Sequence, residues 1–119
     1  MKFIKMLIII TFATFFLVAC GSKQSSQETV QGTAEAFVQA LIDADEKTLK
    51  NLNRDETNPT DHLLSSIAPK FSDLKIEDIT FELDKKKNEV LVEYKGEETI
   101  RYWLDVEKIG DKYFVTKLT

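Results

Sequence analysis

The chain of 119 residues holds one cysteine and one histidine. A single cysteine excludes a disulfide framework within the chain and leaves the redox compartment unread. His62 has no second histidine and no cysteine to complete a metal set, so a zinc site is excluded by its ligands, and His62 reads as a surface residue near a helix start beside Asp61. Glycine-rich phosphate loops, a Gly-x-Ser-x-Gly elbow and zinc-ligand spacings are all missing. No apolar run reaches the roughly 20 residues that cross about 30 Å of hydrocarbon. Clustered positive charge is also scarce, and the one short run, Lys85-Lys86-Lys87, reads as a solvated turn. Without a broad Lys and Arg cluster to displace counterions from phosphates, nucleic acid is not an expected partner.

What is present is uneven. Met1 to Lys5 is short and basic, and Met6 to Val18 is an apolar run without charge, the tripartite pattern of an export signal. Leu17-Val18-Ala19-Cys20 follows and resembles the bacterial lipobox at all four positions, continued by Gly21-Ser22. The resemblance implies a diacylglyceryl group on the Cys20 sulfur, cleavage by signal peptidase II, and acylation of the new amino group. At about 0.8 kcal/mol per buried methylene, two or more chains make a stable anchor, so Cys20 is expected to be a tether rather than a nucleophile or metal ligand. Cleavage would remove two of the 16 basic residues and none of the 20 acidic ones, leaving a net charge near −6. Residues 20–29 then read as the lipidated cysteine and a polar, flexible spacer, and residues 30–119 as one α+β domain.

Val30, Ala34, Phe37, Val38, Leu41 and Ile42 fall on one face of a helix. Asp45 is positioned to cap a second, short helix, with Glu46 in its first turn and Leu49 and Leu52 inward. After the polar stretch Asn51 to Pro59, Thr60 or Asp61 is expected to cap a third helix through Leu63, Leu64 and Ile67 that ends before Pro69.

From about Leu74 the apolar period becomes two. Ile79, Phe81 and Leu83, then Val90, Val92 and Tyr94, then Ile100, Tyr102, Leu104 and Val106 form inward rows, and Phe114, Thr116 and Leu118 a fourth. Turn signals at Asp84 to Asn88, Lys95 to Glu97 and Ile109 to Lys112 separate them. The expected architecture is two to three N-terminal helices packed on a four-stranded antiparallel sheet, since helices first and hairpins afterwards make an α+β order.

The span from Thr33-Ala34-Glu35-Ala36-Phe37-Val38-Gln39-Ala40-Leu41 to Trp103-Leu104-Asp105-Val106-Glu107-Lys108-Ile109-Gly110-Asp111-Lys112-Tyr113-Phe114-Val115 resembles the NTF2-like superfamily, and within it small bacterial lipoproteins of the DUF4878 type. That resemblance implies a cone between helices and sheet, a tendency of the sheets to dimerise, and relatives in which a carboxylate in the cone catalyses isomerisation. The inward strand positions of this chain hold no Asp, Glu, His or Lys, so a general base inside the cone is not expected, and neither is a cofactor.

Two candidate sites follow. Leu91, Trp103 and Val115 lie off the core alternation on three successive strands and are expected to form a row for partner contact, or for cover by another part of the chain. Phe37, Leu41, Phe81 and Tyr102 are the candidate lining of a ligand pocket, with Tyr94 and Tyr102 supplying hydroxyls that otherwise serve edge packing. The expectation is a lipid-tethered, non-catalytic module at the extracytoplasmic face of the cell membrane, contacting an envelope protein or another copy of itself. The alternatives are a small-ligand carrier or sensor using the cone, and an immunity or exclusion lipoprotein of a mobile element.

Overall fold

The computed structural model describes residues 27–119; the expected export signal, Cys20 and most of the expected spacer lie outside the described residues. Helix α1 spans Val30–Asp43 and begins where Thr29, in extended conformation, accepts a hydrogen bond from the Gly32 N–H at 2.9 Å. Its buried face carries Ala34, Phe37, Val38 and Leu41. Ala44 ends it in the left-handed region (φ 51°), returning its N–H to carbonyls of the last turn. Helix α2, Glu46–Leu52, starts one residue later, capped by the Asp45 carboxylate, and buries Leu49 and Leu52.

The third helical stretch, α3, joins Thr60–His62, a π turn at Leu63–Ile67, and Ala68–Phe71. Two expectations fail here. Neither Thr60 nor Asp61 caps the helix: Pro59 occupies that position and offers no side-chain bond. Nor does Pro69 end it. The Ala68 N–H reaches back to the Leu63 carbonyl, and in this widened turn Pro69, which has no N–H to place, falls just inside the start of the following helical turn.

Strands β1 (Thr80–Asp84), β2 (Glu89–Lys95), β3 (Thr99–Ile109) and β4 (Lys112–Leu118) form an antiparallel meander in chain order. The architecture is α+β, with the helices on one face of the sheet. Phe37, Phe71, Leu41, Leu49, Leu52, Leu63, Val90, Val92, Leu104, Val106, Val115 and Leu118 meet in one core.

The β3–β4 pairing slips between Asp105 and Val106: Leu104 faces Leu118 and Asp105 faces Lys117, but Val106 faces Val115. One extra residue on β4, Thr116, therefore breaks the period of two, so Val115 and Leu118 both reach the core although three positions separate them. This overturns the expected fourth row, in which Phe114 and Thr116 faced inward with Leu118. Phe114 pairs with exposed Glu107, off the core.

The ordered domain also begins before Val30. Gln27 is buried, donating from Nε2 to the Tyr113 carbonyl (3.2 Å) and accepting from Asn51 Nδ2 (3.3 Å). In the meander the β1–β2 and β3–β4 turns lie at one end of the sheet and the β2–β3 turn at the other. Gln27 thus enters at the end marked by the β3–β4 hairpin.

Candidate functional site

The outer face of the sheet carries a cross-strand pair. Leu91 and Trp103 are register partners on β2 and β3, with Glu82 of β1 beyond Leu91 and Thr119 beyond Trp103, joined by backbone hydrogen bonds of 2.9 and 3.0 Å. Leu91 is 6% exposed yet stands apart from the core cluster, and Trp103 is half-buried. As register partners on neighbouring strands, the two residues stand side by side on that face. Val115 is not in that row: the bulge turns it to the core, where it is fully buried. No local signal in the sequence marks that slip, since Thr116 is an ordinary strand residue.

Of the four candidate pocket residues, Phe37 and Leu41 are closed into the core at 0% and 1% exposure, and Phe81 packs on its margin. Tyr102 alone reaches a cleft. That cleft, about 340 Å³, lies beside Lys70, Glu98, Thr99, Ile100, Arg101 and Tyr102, where the end of α3 meets the start of β3. The Tyr102 ring leans on Phe71 (centroids 5.9 Å apart, tilted 36°), and its hydroxyl accepts a hydrogen bond from the Lys70 ammonium at 3.2 Å. Lys70 follows Pro69 directly, so the π turn that admits the proline also sets the lysine against the sheet. Tyr94, by contrast, folds its ring over Gly96, where an added Cβ would fall 2.5 Å from the phenol. Any side chain at Gly96 would displace it.

A buried carboxylate that the sequence reading passed over sits between α2 and β4. Asp55 is 5% exposed. Its Oδ1 accepts from the Thr57 N–H (2.9 Å) and hydroxyl (2.6 Å), and its Oδ2 accepts from Asn58 Nδ2 (2.9 Å) and the Leu118 N–H (2.8 Å). Burial pushes this carboxyl up, but the bonds from Asn58, Thr57 and the Leu118 backbone together outweigh it and hold the group down to about 2. With both oxygens doubly engaged and so acidic a proton, Asp55 has neither a free lone pair nor the basicity for proton abstraction. Its chemistry is structural. Because Leu104 and Leu118 face each other without exchanging backbone bonds, the Leu118 N–H and C=O point to the open sheet edge. There Asp55 accepts from the one and Asn58 Nδ2 donates to the other (3.1 Å). Arg54 adds a bond from its N–H to the Val115 carbonyl (2.7 Å) and lays its guanidinium 4.3 Å over the Phe114 ring.

Among the described residues no group of three or more His, Cys, Asp or Glu could hold a metal ion, and His62 and Lys85 to Lys87 are exposed. Also among the described residues, no helix is long and apolar enough to cross a membrane. No family model matches the chain, and neither a curated protein nor a solved structure matches it.

Proposed function

We propose that this chain is a membrane-anchored extracytoplasmic lipoprotein whose exported domain is a non-catalytic binding module for a protein of the cell envelope. The anchor reading rests on the basic start, the apolar Met6 to Val18 run and the lipobox pattern ending at Cys20. The domain reading, an NTF2-like cone of helices over a curved sheet, is supported by three helical stretches packed on one face of a four-stranded meander. The observation that carries the binding role is Trp103, only half-buried beside its buried register partner Leu91 on the face turned away from the helices. Tryptophan in such a setting offers large contact area at small entropic loss, the usual composition of a protein contact.

The test is photo-crosslinking in intact cells with a reactive analogue at Trp103, and with Glu97, exposed in the β2–β3 turn, as control. One defined envelope protein, or a second copy of the chain, captured from 103 and not from 97 is the expected result. The same background from both positions removes the sheet face from consideration. A second reading then gains, favoured by the Lys70–Tyr102 hydrogen bond at the mouth of the cleft: a carrier or sensor for a small ligand with an anionic or hydrogen-bonding group.

A further inference from the structure

The end of the sheet at which the chain enters differs in composition from the rest of the domain. The β1–β2 turn there is Lys85-Lys86-Lys87-Asn88, and the β3–β4 hairpin is Lys108-Ile109-Gly110-Asp111-Lys112-Tyr113. Five lysines meet four acids, Asp84, Glu89, Glu107 and Asp111, in a chain that is otherwise acidic. The other end, around Gly96, carries Glu97 and Glu98. Pairing of β3 with β2 stops at Asp105, and Asn88 still accepts from the Val106 N–H, whereas β3 and β4 stay paired to Ile109 and Lys112. Glu107 to Ile109 thus continue roughly 10 Å past the level of Asn88. At the tip stands Ile109, 50% exposed and the exposed large hydrophobic residue of the described chain. Gly110 at φ 71° closes the two-residue turn behind it.

The tether leads to the same place. Gln27 is bonded to the Tyr113 carbonyl at the root of this hairpin. Six residues lie between it and Cys20, seven Cα steps in all, so a lipid on that cysteine holds the hairpin root within about 25 Å of the headgroups whatever path the spacer takes. We propose that the Lys85–Lys87 turn and the Lys108–Tyr113 hairpin form a membrane-facing surface, with Ile109 seated at the boundary between headgroups and acyl chains of an anionic bilayer. The inference rests on the lipid anchor at Cys20 and adds an orientation to it. Lysines suit this position because their stems lie along an apolar tip while their ammonium groups reach phosphates, and Tyr113, with Lys108 Nζ 6.0 Å from its ring centroid, supplies the amphipathic ring favoured at that depth. The surface also turns the Glu97–Glu98 end away from the negative leaflet.

The experiment uses the lipidated full-length product, purified and reconstituted in vesicles of phosphatidylglycerol and phosphatidylcholine. Because Cys20 would be the one native thiol and would be blocked by lipid, Ile109→Cys or Glu97→Cys accepts an environment-sensitive fluorophore uniquely. Mass measurement of the Cys20 peptide is read on the same sample. With the diacylglyceryl group present, blue-shifted emission at 109 and quenching by bilayer-embedded spin labels several-fold stronger than at 97 support the proposal. Water-like emission and equal quenching at both positions overturn the orientation and leave the anchor standing. An unmodified Cys20 peptide overturns the anchor, and the orientation with it.

Discussion

Asp55 shows how much one side chain can hold together. Its carboxylate closes the loop after α2 on itself through Thr57 and Asn58 and binds that loop to β4 at Leu118, 63 residues away. The linkage has a definite sign. The folded-state value of about 2 lies below the ordinary 3.8, so the stabilisation is fully present above about pH 4 and is lost as pH falls through about 2. Its size is about 2 kcal/mol from that difference. Asp55→Asn keeps the shape but turns one acceptor into a donor facing the Leu118 N–H or the Thr57 N–H. It should lower the unfolding free energy by about 2–3 kcal/mol near neutral pH. It should also flatten the stability profile between about pH 4 and pH 2 relative to the parent chain. Denaturant unfolding of both proteins across that range checks both statements; a variant that keeps the parent's acid slope would assign the slope to another group.

At the scale of elements, local pattern was enough for α1, α2 and the hairpins, although the local cap expected at Thr60 or Asp61 was not formed. The offsets from Val30 to Ile42 identify α1, and Asp45, Glu46, Leu49 and Leu52 identify α2 with its cap, because every relevant partner lies within a turn or two. The three turn signals placed the hairpins for the same reason. What escaped was set at a distance. Pro69 argues for a helix end on its own, and only the π turn before it, held by packing of Leu63, Ile67 and Phe71, lets the helix continue. The Asn53 to Asn58 stretch reads as a polar loop, and although its Asn, Asp and Thr spacing is that of side-chain-to-backbone turns, its pairing with β4 has no local trace. Likewise the bulge at Thr116 is one residue of phase, and it moved Val115 from the expected contact row into the core. That phase can be tested by removing it. Deleting Thr116 sets Val115 and Leu118 two positions apart, the spacing at which a regular strand turns both to one face, and so restores the period of two without exposing either. The deletion should therefore keep a cooperative thermal transition by circular dichroism, and loss of that transition would mean that the bulge itself is needed to seat β4 on the core; Thr116→Ser, which keeps the extra residue and its hydroxyl bond to the Asp105 carbonyl, should melt close to the parent.

For the whole molecule, charge and shape point the same way. On the proposed lipid tether an acidic domain would be repelled by an anionic leaflet, and repulsion of that kind acts over about one Debye length, about 8 Å at physiological salt. Under the proposed anchor, a domain whose hairpin root stays within about 25 Å of the surface lowers that repulsion, wherever it comes within a Debye length, by turning a basic end toward it. The meander supplies one, because its two lysine-bearing turns fall at the end where Gln27 enters. With that end down, the Leu91–Trp103 face stands along the side of the domain, open to a neighbour in the envelope, and the Lys70–Tyr102 cleft lies toward the far end with Glu98. Orientation by field and insertion by Ile109 are separable contributions. Replacing Lys85, Lys86 and Lys87 together by Gln changes exposed turn residues and should leave the melting temperature nearly unchanged. In vesicles rich in phosphatidylglycerol it should reduce quenching of the fluorophore at 109, since each lysine near such a surface contributes about 1 kcal/mol. In purely zwitterionic vesicles the triple variant and its parent should be quenched alike, because no surface field distinguishes them. Equal quenching in both lipids would mean that the Lys85–Lys87 turn takes no part in setting which end of the domain meets the membrane.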